Sequence, residues 1–139
     1  MKTELLTYFG IKVHSITPLD GYISENYRVV AEQDTFVLKV SPADELIAAE
    51  INGEIALVNA LSHLPSASIS RTVPNLKGEL FTRTEHQIWR LQTYVNGDFL
   101  AETTHAEELI KSFGRFLALL DRPLLNFRNT AIESRRLVW

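Results

Sequence analysis

A lysine inside an apolar, strand-like run is the first residue in this chain that could do chemistry. The run is Thr35-Phe36-Val37-Leu38-Lys39-Val40. Side chains alternate along a strand, so Phe36, Leu38 and Val40 share one face and Val37 and Lys39 the other. Lys39 therefore either stands on a solvated face or points into a cleft. A carboxylate further along bears on that choice. Ile47, Ile51, Val58 and Leu61 recur at helical spacing, and Glu54 falls in the middle of their stripe. A carboxylate on a buried helix face is costly unless it is paired. Lys39, on the strand just before the helix, is its natural partner; Glu50, one turn earlier, is the second candidate for the same lysine. The alternative is a Glu54 that tilts to solvent at the helix edge. A lysine held by a helix glutamate can present its ammonium to the α- and β-phosphates of a nucleotide, with the glutamate orienting it rather than acting as a base.

Two further segments could complete such a site. The turn Asp20-Gly21-Tyr22-Ile23-Ser24-Glu25-Asn26 would lie over the phosphates. It has a single glycine and no P-loop pattern, but Ser24, Asn26 and backbone amides can donate hydrogen bonds. An ordinary polar hairpin loop fits the same composition. The run Leu91-Gln92-Thr93-Tyr94-Val95-Asn96-Gly97 reads as an edge-like strand ending at Asn-Gly. The Thr93 C=O and the Val95 N–H have the parity to read an adenine edge, and a plain strand end is the alternative. His14, His63, His86 and His105 are too dispersed to form a metal site by spacing.

The elements that must position these residues follow from local pattern. Leu5, Leu6 and Phe9 predict a short opening helix stopped by Gly10. Strands are expected over 13–19, 27–31 and 35–40, joined as an antiparallel meander. Ser41 as cap, Pro42 in the first turn and Asp44 three residues on predict a helix from there to about residue 63. A turn over 75–78, a strand over 79–84, a tight turn at Glu85-His86 and a strand over 87–95 come next. A second long helix is expected from 103 or 104 to 122, before Pro123, and a helical piece over 131–138. The fold class is therefore α+β: a five-stranded antiparallel sheet with one long covering helix, followed by the first helices of a helical lobe. Residues 1–97 form the sheet domain and 98–139 the linker and helices.

Composition sets the surroundings. The chain has 139 residues, 45% hydrophobic and 22% charged, with a net charge of −3 and no cysteine. Disulfides and thiolate metal sites are excluded, and the scattered basic residues argue against a nucleic-acid surface. No apolar run approaches the ~20 residues of a membrane span, and the N-terminus is unlike a signal peptide. A cytoplasmic protein is the expectation.

At this point the pattern resembles a known family. Leu19-Asp20-Gly21-Tyr22 with Ser24-Glu25-Asn26-Tyr27-Arg28-Val29, then Phe36-Val37-Leu38-Lys39, then residues 54–61, then Tyr94-Val95-Asn96-Gly97, then Phe113-Gly114-Arg115-Phe116-Leu117-Ala118-Leu119-Leu120-Asp121 follow the order of the aminoglycoside phosphotransferase and choline kinase superfamily, which has the protein-kinase-like fold. The segments ALLDRPL and RRLVW look closest to its hydroxylysine-kinase-like branch, some members of which are fused to an aminotransferase-like domain. The resemblance implies an N-terminal lobe that uses ATP and Mg²⁺, in the full-length protein, to phosphorylate a hydroxyl group on a small molecule. Lys39 would bind nucleotide phosphates, Glu54 would position it, Val37 would pack on the adenine, and Thr93 and Val95 would make the hinge contacts.

The family's chemistry also needs a His-x-Asp-x4-Asn loop and a later metal-binding aspartate, and neither occurs here. Asp121 and Asn126 have the Asp-x4-Asn spacing by chance, with Leu119 where the histidine should be. The expectation is a piece of a longer chain, inactive alone because the catalytic loop lies beyond residue 139. Phe113, Phe116, Leu117 and Leu120 would then be left bare, inviting a dimer or swapped assembly through the helix of residues 104–122. Two other classes fit the same elements: a non-catalytic nucleotide-binding or protein-interaction module, and an α+β sensor domain whose sheet binds a ligand.

Overall fold

The computed structural model describes residues 1–65, 68–104 and 106–135. Among these residues are four α-helices, six strands and a 3-10 turn at Leu100–Glu102: α1 Lys2–Phe9, β1 Val13–Leu19, β2 Glu25–Ala31, β3 Thr35–Pro42, α2 Glu45–Ala60, β4 Thr72–Val73, β5 Thr82–Arg83, β6 Gln87–Thr93, α3 Glu107–Leu124 and α4 Thr130–Glu133. The strands form one antiparallel sheet in the order β1-β2-β3-β6-β4, with β5 also paired to β6. This is the expected α+β architecture, with the strand expected over 79–84 reduced to β5 and a two-residue strand, β4, added at Thr72–Val73 where none was expected.

The two faces of the sheet differ, and the difference builds the site. On one face Val29, Leu38, Val40, Trp89 and Leu91 are buried together with Leu5 and Phe9 of α1. Gly10 ends α1 in the left-handed conformation (φ 70) that glycine adopts without a Cβ clash. On the other face Ile88 packs against Ala48, Ile51 and Ile55 of α2. The strand alternation that separates Lys39 from Leu38 and Val40 thus turns the lysine toward α2 and away from the greasy core.

The start of α2 departs from the sequence expectation. Asp44, not Ser41, is the cap: its carboxylate accepts from the N–H groups of Leu46 and Ile47. Ser41 and Pro42 remain in β3, opposite Ile88 and Gln87. Ladder pairing holds these two residues extended, so the helix waits for the next acceptor that can cap it. The buried stripe also differs. Ala48, Ile51, Gly53 and Ile55 are buried, whereas Ile47 and Val58 are only half-buried. The helix is covered on two sides, by the sheet and by α4. A Cβ on Gly53 would come within 2.7 Å of Asn129 Oδ1 and 2.9 Å of an Ile132 side-chain carbon. Glu54 accordingly sits on the flank of the buried stripe rather than at its middle.

The expected strand over 79–84 shrinks to Thr82–Arg83 because Asn75 organises the preceding turn. Its side-chain oxygen accepts from the N–H groups of Lys77 and Glu79, and its amide donates to Glu79 and Thr82. The second long helix runs through Pro123 to Leu124, and Leu125 N–H closes onto Asp121 C=O. A proline this close to a helix end disrupts little beyond its own missing N–H. Asp121 and Asn126 are both exposed. The helical piece expected over 131–138 appears as α4, Thr130–Glu133; residues 136–139 lie outside the described residues. No helix among the described residues is long and apolar enough to cross a membrane.

Candidate active site

Register aligns the site across three strands. Asn26 on β2 lies opposite Lys39 on β3, and Lys39 lies opposite Arg90 on β6. This polar row faces α2 and floors a cleft of about 530 Å³, within the ~300–1,000 Å³ common for small-molecule sites. Tyr22, Ile23 and Ser24 of the β1–β2 loop wall one side, Glu50 and Glu54 of α2 another, and Arg135 enters after α4. The loop is closed on itself: Ser24 Oγ donates to Asn26 Oδ1 at 2.9 Å, and Asn26 Nδ2 donates to Asp20 C=O at 3.2 Å. Only glycine fits at Gly21, where a Cβ would lie 2.4 Å from Ser24 C=O.

Of the residues singled out in the sequence, Lys39, Glu54, Ser24 and Asn26 line this one cleft. The expected direct ion pair between Lys39 and Glu54 is not made. Glu54 Oε2 accepts from Arg90 Nη2 at 2.8 Å and Glu54 Oε1 from Arg135 Nη1 at 3.1 Å. Arg135 Nε also stands 3.5 Å from Glu50. Arginine outcompetes lysine here because its planar fork meets the carboxylate with directed donors. Lys39 stays close enough for its charge to be felt by Glu54. Burial pulls the Lys39 ammonium below its ordinary value, the Arg90 charge pushes the same way, Glu54 offsets part of the fall, and Arg135 adds to it. For Glu54, burial acts to raise the carboxyl. The Arg90 hydrogen bond and charge, with Lys39 and Arg135, outweigh burial and leave it below the ordinary range.

The other expected contacts fall outside the cleft lining. Val37 shares the Lys39 face one register step along, opposite Arg28 and Gln92, and is half-buried. Val95 lies past the end of β6 and is 37% exposed. Thr93 is not at a free edge: its N–H donates to Arg71 C=O and its carbonyl accepts from Ser70 Oγ at 2.7 Å. The segment leading into β4 covers that side, so the unpaired edge read from the sequence is absent at Thr93.

Arg90 went unread in the sequence, although a signal was present. Parity groups it with Ile88 and Gln92 on a strand whose other face carries Trp89 and Leu91. An arginine there needs a buried partner for the same reason that Glu54 does.

A sequence profile of the APH phosphotransferase enzyme family matches residues 15–138. The chain belongs to this family. Its similarity to hydroxylysine kinases is measurable along nearly the whole sequence. It is 31% identical to that of Danio rerio over 94% of this chain and 40% of the relative, and 28% identical to that of Bos taurus over 91% and 38%. The chain thus spans about 40% of the length of these relatives. Two solved structures share the fold. A spectinomycin phosphotransferase, crystallised with ADP and spectinomycin, gives a TM-score of 0.65 at 15% identity, covering 85% of this chain and 35% of that one. A microcompartment-associated aminopropanol kinase gives 0.66 at 19% identity, covering 98% and 43%. The shared fold is the kinase-like sheet and helix described above.

Proposed function

We propose that this chain is the ATP-binding portion of a small-molecule kinase that phosphorylates a hydroxyl group. One observation carries the reading: Lys39, the Glu54 carboxylate and the Ser24–Asn26 loop converge on one cleft in a chain of the APH phosphotransferase family. The cleft suits a polyphosphate. Among the described residues Lys39 has no ion pair within 4 Å, so its ammonium remains available to phosphate oxygens.

Bound ATP supplies the phosphoryl group. Lys39 binds its phosphates, Glu54 sets the position of that lysine, and Ser24 and Asn26 shape the loop above. Val37 packs on the base, and Thr93 and Val95 border it as the hinge. Thr93 does so with its own backbone groups already bonded to Ser70 and Arg71. The acceptor is an amine-bearing small molecule with a free hydroxyl, a choice supported by the hydroxylysine kinase relatives and the aminopropanol kinase neighbour. Among the described residues no three of Asp, Glu and His cluster as a metal site. The chain spans about 40% of the hydroxylysine kinase relatives; we propose that the Mg²⁺ ligands and the base that takes the acceptor proton belong to the part of the family fold it does not span, and that the chain alone is inactive. The exposed face of α3 is the surface through which the isolated chain would self-associate.

The test is Lys39→Ala in the protein expressed from its complete reading frame. The expected outcome is loss of ATP affinity and turnover with the circular-dichroism spectrum unchanged. Unaltered ATP kinetics would remove the nucleotide reading. The same reading frame must also carry His-x-Asp-x4-Asn after Trp139.

A further inference from the structure

Ladder pairing arranges the Lys39 face of the sheet in rows. Asn26, Lys39 and Arg90 make one row, at the end of the site assigned to phosphates. The next row, two residues or ~7 Å along the strands, is Arg28, Val37 and Gln92. It holds Val37, the residue assigned to the base. Its two outer members are not satisfied by the sheet itself. Gln92 is only 9% exposed, and its side-chain amide makes no hydrogen bond among the described residues, an uncommon state for a buried polar group. Arg28 is exposed and has no carboxylate partner within 4 Å among the described residues. Its guanidinium instead lies 4.9 Å from the centre of the Tyr94 ring, inside the ~6 Å reach of a cation–π contact. The path of that contact matters. Arg28 is on β2, Tyr94 follows β6, and β3 runs between those strands. The two side chains therefore meet across β3, on the face that Arg28 shares with Val37.

We infer that Arg28 is a base-binding residue: its guanidinium stacks on the base of the nucleotide whose phosphates Lys39 holds, and Tyr94 keeps it at that end of the site. The inference rests on the assignment of Lys39 to nucleotide phosphates made above. A guanidinium is a flat cation that stacks on aromatic faces, and every nucleobase offers such a face. An arginine placed only for solubility would point into water or toward a carboxylate. Arg28 instead lies along the sheet toward the aromatic ring beside Val37. Holding the plane there before the ligand arrives lowers the cost of ordering a long side chain on binding. The stacking acts on the base half of the nucleotide alone, so its effect is separable from that of Lys39 on the phosphate half.

The experiment titrates the two halves of the nucleotide separately, as adenosine and as tripolyphosphate, into the protein expressed from its complete reading frame. Calorimetry gives the Kd of each. Arg28→Ala should raise the adenosine Kd by about 10-fold, the scale of losing one stacking partner, and move the tripolyphosphate Kd much less. Arg28→Lys keeps the charge without the plane and should recover little of the adenosine affinity. Tyr94→Leu should give part of the same loss, and little further loss in the Arg28→Ala background, because both changes act on one contact. Lys39→Ala should show the reverse split, weakening tripolyphosphate and sparing adenosine. Should Arg28→Ala fail to fold, Arg28→Gln supplies the same comparison. Wild-type adenosine affinity in Arg28→Ala would overturn the inference. Equal losses for the two probes, or full recovery in Arg28→Lys, would overturn it too, by marking Arg28 as a plain charge. If Lys39→Ala weakens tripolyphosphate while Arg28→Ala spares adenosine, only the role of Arg28 fails. If Lys39→Ala spares both probes, the nucleotide assignment fails with it.

Discussion

Lys39 is stabilised poorly by its surroundings. Burial and the neighbouring Arg90 both lower its pKa from the ordinary 10.5. A lysine with a depressed folded value costs stability at neutral pH, and the cost is relieved as pH rises through that value toward 10.5. Lys39→Met should therefore raise the melting temperature while abolishing ATP binding, a trade common where function needs a strained group. The gain would appear as a higher midpoint in a calorimetric scan; a lower melting temperature would mean that Lys39 is well satisfied after all. Glu54 titrates with the opposite consequence. Its carboxyl lies below its ordinary 4.5 because Arg90 and the other cations outweigh burial. It contributes stability above that pH and loses the contribution as pH falls through the folded value. In Glu54→Gln the melting temperature should depend less steeply on pH below about 4.5. At this scale strand alternation, helical spacing and one polar turn were readable, and Lys39, Glu54, Ser24 and Asn26 line one cleft without Lys39 pairing to Glu54. The partner of Glu54 was not, because two arginines from distant segments compete for one carboxylate, and spacing does not rank competitors.

The elements repeat this lesson with more of it legible. β1 occupies Val13–Leu19, the span that alternation predicts, and the β2–β3 meander follows, because three successive strands need only local turns. β4 was missed because two residues, Thr72 and Val73, carry no period. The seat of α4 on α2 was invisible for a related reason: Gly53 looks like a weak helix residue until Asn129 and Ile132 are placed against it. In an isolated helix, alanine would be preferred there by about 1 kcal/mol. Here the added methyl meets side-chain atoms at under 3 Å, and overpacking of that kind typically costs ~1–3 kcal/mol. Gly53→Ala should thus destabilise the protein in urea unfolding, and should weaken the Arg135–Glu54 contact by displacing α4. A stabilised variant would show that α4 is not seated on Gly53.

For the molecule as a whole, α3 is the element with the least packing. It has no buried residue, and Ile110, Phe113 and Leu117 stand about half exposed along one face. Apolar faces of this kind are covered in stable proteins. The isolated chain should therefore associate with rising concentration in sedimentation velocity, and Phe113→Glu should return it to monomer. A wild-type chain that stays monomeric at high concentration would remove that expectation. A division near residue 97 was an expectation read from the strand stop at Asn96-Gly97, and the apolar face of α3 was legible from its helical spacing. What covers α3 was not, since one face of a helix does not name its partner.

The hydrogen bond from Arg135 to Glu54 spans 81 positions, and that separation sets an order of assembly. As the chain leaves the ribosome, the first three strands and α2 can pair while Glu54 still lacks both of its arginines, Arg90 on β6 and Arg135 after α4. The cleft reaches its finished charge only when Arg135 has emerged, so it matures after the sheet that floors it.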